Sequence, residues 1–265
     1  MKDLFAYIER LILSKDVDEK VADTIKLAQD LQLAKVNLAA SESIINIPKA
    51  GYPESLQLVA PRALKRRSIQ SQTGRNILMH AIAHIEFNAI NLALDAAYRF
   101  RAQPPQYYSD WISIAADEAR HFGLIRSYLN SHNCDYGDMP AHNGLWEMAV
   151  ETNHDVLARM ALVPRVLEAR CLDVTPSMIK KLQSVDDLAA VAILETIYQD
   201  EIGHVKKGSH WFFYHCQIRN LEPRDTFLNL VEQHLHGELR GPFNVSARLQ
   251  AGFDELEMEY LDARY

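Results

Sequence analysis

Cysteine is scarce in this chain, and the scarcity excludes two classes of fold. Cys134, Cys171 and Cys216 are odd in number and show no Cys-x-x-Cys spacing across 265 residues. A disulfide framework or a zinc ribbon is therefore excluded, and the three read as reduced thiols of a cytoplasmic protein. Long uncharged apolar runs are also missing, so nothing reaches the ~20 residues of a membrane span. The first 14 residues carry Lys2, Asp3, Glu9 and Arg10, too much charge for the core of a signal peptide. Basic residues are outnumbered, 28 Lys and Arg against 35 Asp and Glu, for a net charge of -7. That balance disfavours a broad nucleic-acid surface, which needs concentrated positive charge to meet phosphates. The rest of the composition, 48 % hydrophobic and 24 % charged, is ordinary for a globular chain long enough to bury a core.

What the chain does have is one short pattern used twice: Asp117-Glu118-Ala119-Arg120-His121 and Asp200-Glu201-Ile202-Gly203-His204. Residues three apart on a helix project from one face, so Glu118 with His121, and Glu201 with His204, each form a pair able to grip one metal ion. Ile114, Ala115, Phe122 and Ile125 share the first stripe; Ile197, Val205 and Phe212 share the second. A carboxylate on such a core-facing stripe is costly unless it is paired or metal-bound. Each pair also has a matching carboxylate upstream. Glu86 lies 32 residues before Glu118, and Glu168 lies 33 residues before Glu201. Carboxylate and imidazole together suit iron or manganese, and the missing thiolates make zinc and copper(I) poorer candidates.

Read in order, residues 3–13 form a short amphipathic helix. A capping box at Asp16 and Glu19 opens a second helix running to about Ala40. From Ser41 to Thr73 the period is lost, and Pro48, Gly51, Pro53 and Pro61 predict an extended, wrapping segment. Its basic cluster, Arg62, Lys65, Arg66 and Arg67, reads as a solvated face rather than an anion site. Bundle helices follow over 74–101, stopped by Pro104-Pro105, and over 106–130. Residues 131–144 form a turn-rich connection and the candidate crossover. A third helix spans 145–173 with a kink at Pro164, and a fourth spans 185–219 with a cap at Ser184 and Asp187. The tail from Asp225 adds amphipathic segments. His84, two residues from Glu86, faces away from it and reads as a packing histidine. His234 and His236 read as a solvated face. Asp95 and Asp173 receive no chemical role.

The order Glu, Glu-x-x-His, Glu, Glu-x-x-His over residues 74–218 resembles the ferritin-like di-iron carboxylate superfamily. The whole chain resembles an uncharacterised ferritin-like family known only as a domain of unknown function, similar in plan to the tRNA-hydroxylase branch. Its Asp-Glu-x-Arg-His stretch resembles bacterial multicomponent monooxygenases. The resemblance implies an all-α, single-domain ferritin-like four-helix bundle with a long crossover. Residues 1–73 would supply N-terminal helices and a wrapping segment, 74–219 the bundle, and 220–265 a C-terminal extension. It implies two iron ions, with manganese as the alternative, held by Glu86, Glu118, His121, Glu168, Glu201 and His204. In the resembled oxygen-activating enzymes the Asp before each Glu-x-x-His serves the histidine of the opposite motif; carried over, Asp117 would support His204 and Asp200 would support His121. Tyr198, one turn before Glu201, is a candidate proton donor or radical site, with packing as its default role. Cys171 either lines a pocket or fills the core.

The implied function is an oxygen- or peroxide-activating oxidoreductase, a hydroxylase or oxidase acting on an unidentified substrate. Dioxygen or peroxide and an electron-donor protein are its expected partners, with no membrane. Nucleic acid is disfavoured by charge, while tRNA stays open through the resemblance. Two other functions fit the same pattern: iron handling with peroxide detoxification, and a non-enzymatic metal-binding helical scaffold. Fold alone does not choose among them, because function resides in the site and its access.

Overall fold

Asp3 opens the first helix by accepting from the Phe5 and Ala6 amides, and from that point almost every described element is helical. The structure is a computed structural model that describes residues 2–38, 43–64, 68–235 and 239–265. It is all-α and divides into two compact units, Met1–Val150 with Val185–Ile193, and Glu151–Ser184 with Leu194–Tyr265.

In the first unit, α1 (Leu4–Leu13) buries Leu4, Phe5, Ile8, Leu11 and Ile12 along one stripe. Asp16 caps α2 (Val17–Gln32) by accepting from the Glu19 amide at 2.9 Å. The capping box is only half made, because the Glu19 carboxylate is taken by Arg10 and Ser14. Helix α2 ends eight residues before the expected Ala40. Ala34 takes φ 52°, and β2 (Val36–Asn37) then pairs in parallel with β1 (Lys2–Asp3). Two long helices, α3 (Gln72–Arg99) and α4 (Pro105–Ser131), pack along one another. Their shared core includes Met79, Ala83, Phe87 and Ile90 with Trp111, Ala115, Phe122 and Ile125. By length and composition α3 could cross a membrane, yet 78 % of its apolar window is buried inside the protein.

Among the described residues from 43 to 64, the only helical element is a short 3-10 turn, Pro61–Ala63. The Gly51 amide donates to Ile12 O at 2.8 Å, and a Cβ at Gly51 would stand 2.2 Å from Ser14 O. Leu58 forms a β-bridge to Ala141, and α5 (Gly144–Glu151) follows. Arg62 is exposed; Lys65, Arg66 and Arg67 lie outside the described residues.

The expected single helix over 145–173 is broken into parts, of which those after α5 belong to the second unit. Asp155 starts α6 (Val156–Leu162) by accepting from the Leu157 amide at 3.0 Å. A π-helical turn, Val163–Glu168, follows and leads into α7 (Ala169–Gln183). Proline lacks an amide proton and its ring crowds the preceding turn, so the wider π turn at Pro164 is the local answer to the predicted kink. Helix α7 runs ten residues past Asp173 and tolerates Pro176. Asp187 rather than Ser184 caps α8 (Leu188–Ile218), accepting from the Ala190 amide at 3.1 Å. The Ser184 hydroxyl instead donates to Lys181 O. Most of α8, from Leu194 onward, belongs to this unit, with α9 (Pro223–Leu235), α10 (Val245–Gln250) and α11 (Glu255–Arg264).

Candidate metal centre

Helices α3 and α4 each direct ionisable groups into an otherwise apolar contact. Glu86 is 3 % exposed, Glu118 1 % and His121 0 %. His121 Nδ1 lies 3.1 Å from Glu86 Oε2 and 3.5 Å from Glu118 Oε2. One ligand atom from each of the three lies within 4.8 Å of the others. Opposite ligands of a six-coordinate ion with ~2.1 Å bonds are about 4 Å apart, so these groups need draw in only slightly to enclose a cation. The hard oxygen and imidazole donor set matches first-row divalent ions. This buried carboxylate and histidine cluster can hold a metal ion.

Its electrostatics point the same way. Burial opposes a charge on His121, but the hydrogen bonds it donates to the Glu118 and Glu86 carboxylates, with their negative charge, outweigh it and raise the imidazole to about 11. Two carboxylates are brought out of water together, which is tolerable only with positive charge between them. The atoms that fix a proton on Nδ1 are placed to fix a metal ion there.

In the second unit, Glu201 and His204 on α8 are 5 % and 3 % exposed, with Oε1 and Nδ1 3.4 Å apart. Glu168 is the last residue of the π-helical turn and is partly exposed. Gly208, one turn beyond His204, packs on Pro164; a Cβ there would stand 2.2 Å from Pro164 Cβ. The absence of a side chain thus lets α8 lie against the turn that carries Glu168. Asp117 and Asp200 are both partly exposed, and Asp117 meets Arg120 at 3.4 Å. Tyr198 accepts from Asn244 Nδ2 at 3.0 Å, and Cys171 Sγ lies 3.1 Å from Thr175 Oγ1.

His84, by contrast, belongs to a buried polar network. His84 Nε2 donates to His142 O at 2.9 Å, which leaves Nδ1 to accept from the Tyr136 hydroxyl at 2.8 Å. Burial lowers this imidazole to about 4, so it is neutral at pH 7. His234 differs from its expected solvated face. Its Nδ1 lies 2.6 Å from Glu151 Oε1 and the side chain is largely covered. His236 lies outside the described residues.

Several buried charges escaped the sequence reading. Lys20 is fully enclosed, donating to Ile12 O, Gly51 O and Asn91 Oδ1 at 3.2, 2.8 and 2.8 Å. Asp95 pairs with Arg99, Asp173 with Arg248, and Arg165 with Glu257. A charge interrupting an apolar helical stripe was the available signal for each. The partners of Asp173 and Arg165 lie 75 and 92 residues away, beyond the reach of local pattern.

Comparison with known proteins finds similarity over most of the chain. The model of a family described as "Protein of unknown function (DUF455)" matches residues 13–259. A Haemophilus influenzae protein named "Uncharacterized protein" is 44 % identical over 219 residues, covering 80 % of this chain and 76 % of its own length. No solved structure matches.

Proposed function

The chain belongs to the family described as protein of unknown function (DUF455), and from that footing we propose that it is a di-metal carboxylate oxidoreductase of ferritin-like plan. In this reading Glu86, Glu118, His121, Glu168, Glu201 and His204 hold two iron ions, with manganese as the alternative. The observation that carries it is the enclosed Glu86, Glu118 and His121 cluster on α3 and α4. The Glu201 and His204 pair repeats half of that chemistry on α8, and Glu168 completes the sequence pattern.

When bound, a pair of iron(II) ions supplies two electrons to dioxygen or peroxide, and a substrate is hydroxylated or oxidised. The chain's own groups provide the setting. Glu86, Glu118 and His121 are themselves at most 3 % exposed, so little water reaches the first cluster, which strengthens its electrostatics. Glu86 and Glu118 fix the orientation of the His121 ring. Asp117 and Asp200 serve His204 and His121 by accepting their second N–H, which raises ligand basicity. An electron-donor protein, an unidentified substrate and a cytoplasmic location complete the proposal. The three cysteines are all free thiols, in keeping with that location.

Anaerobic loading with iron(II), followed by a measured pulse of dioxygen, tests this. The expected result is two irons bound per chain and about one dioxygen consumed per pair. Iron accumulating far beyond two per chain assigns the protein to iron handling. Two bound metals that leave dioxygen untouched assign it to a structural scaffold, and no binding at all overturns the metal site.

A further inference from the structure

The C-terminal segment grips the helix that carries Glu168 on both sides of that residue. Three residues earlier in the chain, Arg165 Nη2 donates to Glu257 Oε1 at 2.6 Å, both side chains being at most 1 % exposed. The Arg165 guanidinium lies 4.4 Å from the ring centre of Phe253 and 4.6 Å from that of Phe227. Phe212 and Phe213 stand at 4.9 and 5.0 Å. Five residues after Glu168, Asp173 accepts from Arg248 Nε at 2.9 Å and Nη2 at 2.8 Å. Asp173 also accepts from the Asn244 amide at 2.9 Å. Asn244 Nδ2 then bridges Leu172 O on α7 and the Tyr198 hydroxyl on α8, one turn before Glu201.

These contacts are a poor route to stability alone. A buried ion pair gives back in attraction roughly what it loses in hydration, and well-packed apolar replacements are often as stable or more so. What a charged pair with a planar fork supplies is direction. Arg165 is the third residue of the π-helical turn and Asp173 lies five residues beyond its end in α7, so Glu168, the last residue of the turn, sits between the two pairs. Such turns are rare and recur at functional sites; this one is held from outside the helix at Arg165, and the helix that continues it is held at Asp173.

We propose that Arg165, Glu257, Asp173, Arg248 and Asn244 are positioning residues, through which the C-terminal segment clamps the π-helical turn and aims the Glu168 carboxylate at a divalent first-row metal ion. This rests on the reading of Glu168 as a ligand. It gives residues 239–265 a task in metal binding although the segment supplies no ligand itself.

Cobalt(II) titration of the full chain, followed by visible ligand-field absorption, separates the two claims. Glu168→Ala tests the ligand reading; it should weaken one of two cobalt positions at least tenfold. The double variant Arg165→Met/Glu257→Met, which keeps an apolar filling, should retain helical circular dichroism and a cooperative melt. It should nevertheless weaken the same position about 10- to 100-fold and alter its absorption band. Arg248→Lys keeps the charge balance but not the fork, and should shift the band in the same sense with about tenfold weaker binding. If Glu168→Ala weakens cobalt binding while both clamp variants bind and absorb as the native protein does, the clamp is refuted. If Glu168→Ala itself leaves the titration unchanged, the ligand reading fails and the clamp has no target.

Discussion

Replacing Lys20 by Met should change how the stability of the first unit depends on pH. Burial lowers this amine from 10.5 to about 7, because an ammonium enclosed beside Phe87 has little hydration left. Between pH 7 and 10.5 the unfolded chain then carries a proton that the folded chain has released. Stability therefore rises with pH across that window, by up to about 1.4 kcal/mol per pH unit. From pH 7 to pH 9 the native protein should gain about 2 kcal/mol over Lys20→Met, or roughly 4–8 °C in melting temperature. Parallel thermal melts at the two pH values, followed by far-ultraviolet circular dichroism, measure this. Taking the difference between the proteins removes every titrating group they share, including His121, whose raised pKa acts in the opposite sense in metal-free protein. A difference that stays constant from pH 7 to pH 9 would refute the reasoning and give Lys20 an ordinary pKa in the fold.

Gly208→Ala places a methyl group against the rigid Pro164 ring; overpacking of this kind destabilises by about 1–3 kcal/mol, read as an earlier melt of the second unit with weaker cobalt binding. His215 is buried, and neither ring nitrogen finds a hydrogen-bond partner among the described residues. Burial lowers it to about 4, so native stability is lost as pH falls from 6.5 through 4. His215→Phe should flatten that acid limb, and an unchanged limb in urea melts at pH 5 would count against it. Asp200→Asn should leave the fold intact while lowering metal affinity or oxygen consumption about 10- to 100-fold; kinetics equal to native protein would remove Asp200 from service to a histidine.

The helical class and the long helices were legible because apolar period and proline stops are local signals. Ser71 caps α3, and Pro104-Pro105 opens α4 a few residues after α3 ends at Arg99, so observed and expected ends of α3 differ by two residues. Glu86, Glu118 and His121 were legible for a related reason: carboxylate and imidazole on a buried stripe violate the pattern around them. The failures came where distant contacts decide. Helix α2 stops at Gln32 because Val36 pairs with Lys2, a partner no window around Val36 contains. The third helix breaks near Thr152 and widens at Pro164, where Gly208, Arg165 and Glu257 settle the local geometry. His234 read as solvated because Glu151, which covers it, lies 83 residues away.

The central claim is that six residues of this chain hold two metal ions, and anomalous scattering at the iron edge from crystals of iron(II)-loaded protein tests it most directly. The account predicts two peaks about 3.5–4 Å apart, with Glu86, Glu118 and His121 among the ligands of the first and Glu168, Glu201 and His204 completing the pair. A single peak, peaks elsewhere in the chain, or Glu86 or Glu168 turned to solvent in the loaded protein would contradict it.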